Sequence, residues 1–198
     1  FEFMVQRSIS IINEKLQLNW SEVDLVSGGA AWADHVAVTL FLTQDPSSLT
    51  LYLPCIWRSD GENSCYVDTG KKDWKTNPGR TANLYHQYFS KQLGINTLEQ
   101  IDLAAKAGAV LDCSHHGFLN RNTEVAKCDH MIAFTFSEGE SPSDGGTLNT
   151  WNKCTSGSKI HVSLSQETQN NTNNKNTSKS AKRKKESSTS SSHKLPKN

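Results

Sequence analysis

The chain has 198 residues, of which 35% are hydrophobic and 21% charged, and its formal net charge is +1. That length suits one domain, or one domain with a tail, and no run reaches the ~20 apolar residues of a membrane helix: the longest, Ala30 to Leu42, is interrupted by Asp34, His35 and Thr39. Five cysteines with no CxxC pair argue against a secreted disulfide framework, and no signal-peptide pattern is present, so a soluble intracellular protein without a membrane partner is expected.

In chain order, residues 4–18 place Met4, Val5, Ser8, Ile9, Ile12 and Leu16 at helical spacing, and Asn19 ends the run. Val23-Asp24-Leu25-Val26 predicts a short buried strand that stops at Gly28-Gly29. Ala30 to Leu42 has helical length, with Pro46 beyond its end. Leu49 to Leu53 predicts the next strand. Residues 58–78 are polar and rich in turn formers and read as a long functional loop. Helices are predicted near 80–93 and 97–107, parted by Gly94, the second capped by Asn96 or Thr97. A strand at Ala109-Val110-Leu111, a helix from Gly117 to Cys128, a strand at Met131 to Phe134 and a loop from Glu138 to Gly145 follow. Gly146-Thr147 opens a last helix to about Cys154, and Ile160 to Leu164 is the final strand.

From Gln166 the sequence is almost entirely Asn, Gln, Ser, Thr and Lys, with eight basic and two acidic residues, a net charge of +6. Residues 1–165 therefore carry −5. The only large apolar residue beyond position 165 is Leu195, too little to offset ordering entropy, so 166–198 reads as a disordered basic tail. Its run Lys182, Arg183, Lys184, Lys185 is either a nuclear import signal, a nucleic-acid contact or a solubilising accident of composition. The body, 1–165, alternates strands and helices. That pattern predicts an α/β, Rossmann-like three-layer domain with a mostly parallel sheet. Ligands of such sheets bind at the carboxyl ends of the strands. Two Gly-rich loops fall there, Ser27-Gly28-Gly29 and Gly145-Gly146-Thr147. Each opens a helix, whose free amides attract phosphate or carboxylate.

Three blocks resemble a known family. Val26-Ser27-Gly28-Gly29-Ala30-Ala31-Trp32-Ala33-Asp34 is similar to the SGGAxGAD segment of the SMF/DprA–LOG (SLOG) superfamily. Arg121-Asn122, with Cys128 to Phe134 after it, resembles the RN…aDxxIAF segment, and Gly145-Gly146-Thr147 resembles the closing GT loop. The blocks span about residues 23–164 in the family's order and look closest to the uncharacterised branch related to bacterial YspA-type proteins. The resemblance implies a Rossmann-like fold, a nucleotide or nucleotide-derived ligand and a homodimer. It also implies two departures. Family members begin with a strand and a Gly-Ser-Arg-type loop, whereas this chain starts at Phe1 in what would be the first helix, so a truncated N-terminus is expected. The LOG phosphoribohydrolases carry a glutamate in PGGxGTxxE; Thr150, preceded by Asn149, stands at that position, and a neutral hydroxyl cannot stabilise an oxocarbenium-like centre.

The candidate ligand residues are thus Ser27, Gly28, Gly29, Asp34, Arg121, Asn122, Gly145, Gly146 and Thr147. Gly28 and Gly29 either admit a phosphate to the backbone or make a tight turn. Asp34, placed one turn into its helix, either binds a ribose hydroxyl or holds the Ser27–Gly29 loop through its amides. Arg121 either grips phosphate or pairs with an acid such as Glu124. Asn122 reads a base or sugar edge or caps a turn, and Thr147 bonds phosphate or caps its helix. Cys113, His115, His116 and Cys128 lack a usual zinc spacing, so no metal and no cofactor is expected. Trp74, Tyr85, Tyr88 and Phe89 either stack a base or pack a helix face, and the Asn77 to Asn83 stretch is a candidate lid. Non-catalytic nucleotide binding or sensing is expected. A nucleotide N-glycosidase using Asp34 or Asp144 is one alternative. A nucleic-acid module acting through the basic tail is the other, opposed by the acidic body.

Overall fold

A computed structural model describes residues 1–61 and 63–165; the tail, with Lys182 to Lys185, lies outside the described residues. Helix α1 (Glu2–Ser10) runs on into a π-helical segment (Ile11–Leu16), and a 3-10 turn (Trp20–Glu22) leads to β1 (Asp24–Ser27). Then come α2 (His35–Gln44), β2 (Ser48–Tyr52), β3 (Trp57–Ser59), β4 (Ser64–Tyr66), α3 (Pro78–Leu93), α4 (Thr97–Lys106) and β5 (Val110–Asp112). The chain continues with α5 (Phe118–Val125), β6 (His130–Thr135), α6 (Gly145–Lys153) and β7 (Ser158–Ser163).

The strands pair as the alternating pattern requires. β1, β2 and β5 form a parallel sheet in the order β1-β2-β5, with Leu25 opposite Leu49 and Leu51 opposite Leu111. β6 and β7 form a second parallel pair, Phe134 opposite Val162, and β3 and β4 an antiparallel hairpin. The fold is α/β and Rossmann-like. Two clusters make the core. Leu49, Leu51 and Leu53 pack with Val38 of α2, Tyr66, Ala82 of α3, and Ile101 and Ala104 of α4. Met4, Val5 and Ile12 pack with Val36 and Leu40 of α2, Val23 and Phe134, with Leu25, Ile132 and Val162 at their edge. α2 feeds both clusters from opposite faces, as a helix apolar all round must. Each fully buried leucine contributes about 1.5–3 kcal/mol.

Four expectations need correction. The first helix is not one α-helix to Asn19: it widens at Ile11 and stops at Leu16, where Gln17 turns left-handed at φ 55°. The second helix begins at His35, not Ala30, because Gly29 (φ 67°) and Trp32 (φ 61°) interrupt any helical path between them. Residues 58–78 are not simply a loop. The Asp60-Gly61 turn, closed by the Asn63 amide donating to Asp60 Oδ1 at 2.7 Å, joins β3 to β4. The Asn77 to Asn83 stretch is the packed start of α3 rather than a lid. Asn77, 1% exposed, accepts from the Thr69 amide at 3.1 Å and donates to Asp68 and the Lys71 carbonyl, with Pro78 at the first helical position.

Candidate functional site

β1 delivers Ser27 to its carboxyl end, where the chain must turn into α2. The Ser27 hydroxyl donates to the Asp34 carbonyl at 2.7 Å and closes that turn. Gly29 sits at its centre with φ 67°, a conformation glycine adopts without strain. Its carbonyl accepts hydrogen bonds from the Tyr66 hydroxyl and, at 3.0 Å, from His86 Nε2. The carbonyl can only accept, so Nε2 carries the hydrogen, and Nδ1 accepts from the Thr97 hydroxyl at 2.9 Å. Burial lowers the His86 pKa, outweighing the Gly29 carbonyl, and keeps the ring neutral. Burial likewise raises the Tyr66 pKa and keeps the phenol protonated. The turn is thus anchored on a rigid layer built from β4, α3 and α4.

Arg121 reaches the same turn from α5. The Gly117 amide donates to the Pro54 carbonyl at 2.7 Å, which docks the start of α5 beside the end of β2. Arg121 is 6% exposed, and its Nη2 lies 3.1 Å from Asp34 Oδ2. The guanidinium fills the space a side chain on Gly28 would need: a Cβ there would stand 1.2 Å from Nη1. Asp34 Oδ2 also accepts from the Ala30 amide at 3.3 Å. Asp34 is therefore not a turn inside α2 but the residue just before it, and it holds the loop and Arg121 together. Arg121, expected to pair with an acid such as Glu124 if not with a ligand, does pair with an acid, but with Asp34; Glu124 is held by Lys127, 2.8 Å away. Its Nε is buried and has no hydrogen-bond partner.

Asn122, 3% exposed, carries the site to α6. Its Nδ2 donates to the Gly146 carbonyl at 3.3 Å and to Asn149 Oδ1 at 3.2 Å, so it bridges two helices instead of capping its own turn. Gly145 (φ 70°), Gly146 and Thr147 form the first turn of α6, and Lys153 ties that helix to the Leu119 carbonyl and Thr123 of α5. Thr150 is buried and its hydroxyl donates to the Gly146 carbonyl at 3.1 Å, where it can only brace the helix.

The structure brings Ser27, Gly28, Gly29, Asp34 and Arg121 into mutual contact and attaches Asn122, Gly146 and α6 through α5. The aromatic group is dispersed. Phe89 is fully buried against Trp32 and His35, and Tyr85 and Tyr88 lie half-exposed. Trp74 stands one ring away from Arg121, its ring 6.2 Å from that of Phe118, which lies 6.0 Å from the guanidinium, while Tyr85 packs on Trp32 of the turn. Among the described residues no group of three His, Cys, Asp or Glu is placed to hold a metal ion. No helix among them is long and apolar enough to cross a membrane. Sequence reasoning missed Tyr66, His86 and Thr97. Of these only His86 carried a signal, a lone histidine on the apolar side of a predicted helix.

Chemically, a buried fork of nitrogen donors beside a glycine backbone suits an oxyanion. No family model and no solved structure matches the chain. An uncharacterised protein of Acanthamoeba polyphaga mimivirus, R261, is 38% identical over 171 residues, covering 83% of this chain and 84% of that one. At that identity and coverage, the chain belongs to one family with the mimiviral protein.

Proposed function

We propose that the protein binds the phosphate of a nucleotide or nucleotide-derived molecule at the carboxyl ends of its strands, as a SLOG-like module that does not cleave its ligand. The observation that carries this reading is Arg121: a cation 94% removed from solvent, laid against Gly28, with a buried Nε that no protein group satisfies. A buried donor without a partner costs about 1–3 kcal/mol, and an anion oxygen at the Gly28–Gly29 loop removes that cost. Trp74, 43% exposed beside Phe118, offers a face on which a base stacks. The sole carboxylate in this contact set, Asp34, is engaged by Arg121 and the Ala30 amide, which favours binding over acid–base chemistry.

The test is a thermal-shift screen of nucleotides and ADP-ribose-type ligands with analysis for released base. A ligand at ~100 times its Kd adds about 2.7 kcal/mol, or roughly 5–10 °C in a protein of this size. Arg121→Ala is expected to abolish that shift. Gly28→Ala is expected to do the same by displacing the guanidinium, whose end the new Cβ would meet, and to lower unliganded stability as well because the buried pair with Asp34 is broken. Recovery of free base overturns the non-catalytic part of the reading. A shift that survives both variants overturns the site.

A further inference from the structure

Away from the Gly28 loop, the far ends of α5 and α6 bring two thiols together. Cys128 lies in the turn between α5 and β6, and Cys154 follows the last residue of α6. Their Sγ atoms are 3.9 Å apart. Neither residue is inside a helix or a strand, and the Cys154 amide donates to the Thr150 carbonyl at 3.0 Å. Cys154 is 3% exposed, and Cys128 is half-buried and faces it. The Cys154 sulfur is also 3.0 Å from the Ser156 hydroxyl, and the Lys159 ammonium donates to the Cys154 carbonyl at 3.2 Å.

We propose that Cys128 and Cys154 form a reversible dithiol–disulfide site whose oxidant is a hydroperoxide. A disulfide needs an S–S length of about 2.05 Å, so the sulfurs must close by about 1.9 Å. Rotation about the two Cα–Cβ bonds, with small shifts of the turns that carry them, supplies that movement. In the first step a thiolate sulfur attacks the peroxide oxygen; the O–O bond breaks, a sulfenic acid forms and hydroxide (or alkoxide) leaves and takes up a proton. In the second, the other sulfur attacks the sulfenic sulfur; the S–S bond forms, the S–O bond breaks and water leaves with the thiol proton. Two thiols lose two electrons in total, and one peroxide is reduced.

The two sulfurs are unequal in a way that suits this sequence. Burial drives both thiols up. At Cys154, however, hydrogen bonds from Ser156 and from the Cys128 thiol, with the Lys159 charge, outweigh burial and hold it below its ordinary value. Cys128 is pushed up to about 12 by burial and by the neighbouring sulfur. Cys154 is therefore the more readily ionised sulfur of the pair, and in this proposal it makes the attack on a small peroxide and Cys128 takes the resolving step.

The experiment treats the full reduced chain with hydrogen peroxide, alkylates the remaining thiols and maps the peptides by mass spectrometry. The expected result is a cross-link between the peptides bearing Cys128 and Cys154, a mass about 2 Da lower before alkylation, reversal by dithiothreitol, and a Tm raised by roughly 5–15 °C. In Cys128→Ser the cross-link is absent and Cys154 proceeds to the sulfinic or sulfonic acid, whereas Cys65→Ser retains it. The proposal is overturned if Cys128 and Cys154 both remain alkylatable while another cysteine oxidises. It is also overturned if the disulfides found join Cys55, Cys65 or Cys113 instead. The wild-type map decides the matter even if Cys128→Ser fails to fold.

Discussion

Gly29→Ala is expected to lower the unfolding free energy by about 2–5 kcal/mol. Two costs add. A non-glycine residue held at φ 67° costs about 1–2 kcal/mol. The new Cβ would then stand 2.4 Å from Leu53 Cδ2 and 2.9 Å from the Tyr66 hydroxyl oxygen. Both residues are 0% exposed and belong to one cluster, so neither can withdraw into solvent, and overpacking of this kind costs about 1–3 kcal/mol. Gly61→Ala is the control. Gly61 has φ 94° and open space where a Cβ would project, so only the backbone cost applies. Urea unfolding of the two variants separates the effects: equal losses would remove the packing share and with it the claim that Leu53 and Tyr66 leave no space for a side chain at Gly29.

The second large effect is a loss of stability in acid. His35 is fully buried, its Nε2 donates to Gln100 Oε1 at 2.7 Å, and its Nδ1 has no partner. Burial lowers its pKa from 6.5 to about 4; Gln100 and Asp34 pull it upward and His86 downward. The unfolded chain therefore binds a proton at a pH where the folded chain refuses it. Stability conferred by the neutral ring is fully present above 6.5, falls as the pH drops from 6.5 to 4, and is gone below 4. The difference amounts to about 3 kcal/mol, and His86, lowered by burial as well, adds to it in the same direction. Urea midpoints at pH 7, 5.5 and 4.5 should decline accordingly, and in His35→Phe the decline should be visibly shallower. An unchanged slope in that variant would assign the acid sensitivity to other groups.

How much of this was legible beforehand follows from which signals are local. α3, α4, β2, β6 and α6 announce themselves through short-range chemistry. Gly94 turns left-handed at φ 72° after α3, and the Asn96 side chain accepts from the Leu98 and Glu99 amides to start α4. The start of α2 does not: Ala30-Ala31-Trp32-Ala33 has helical composition, and only the tertiary anchoring of Gly29 by Tyr66 and His86 forces the chain through Trp32 at φ 61° first. The hairpin of β3 and β4 was hidden because three-residue strands carry too few alternations to read. Within the site, the glycines and Arg121 were legible as types. Their pairing was not, because Asp34 and Arg121 lie 87 residues apart and meet only after β1 and α5 are placed. Tyr66 sits in a polar run that gives no hint of a fully buried ring.

The ion pair between Arg121 and Asp34 has a kinetic consequence. Seen from outside, the two charges largely cancel, and the −5 of residues 1–165 is set against +6 in residues 166–198, a total of +1. Beyond a Debye length of about 8 Å at physiological ionic strength every such field is screened, so nothing draws a distant anion towards the guanidinium. Under the proposed function, capture of a phosphate then depends on short-range fit, with no long-range attraction to speed the encounter. Added salt, which slows association wherever attraction guides it, should leave such capture unchanged.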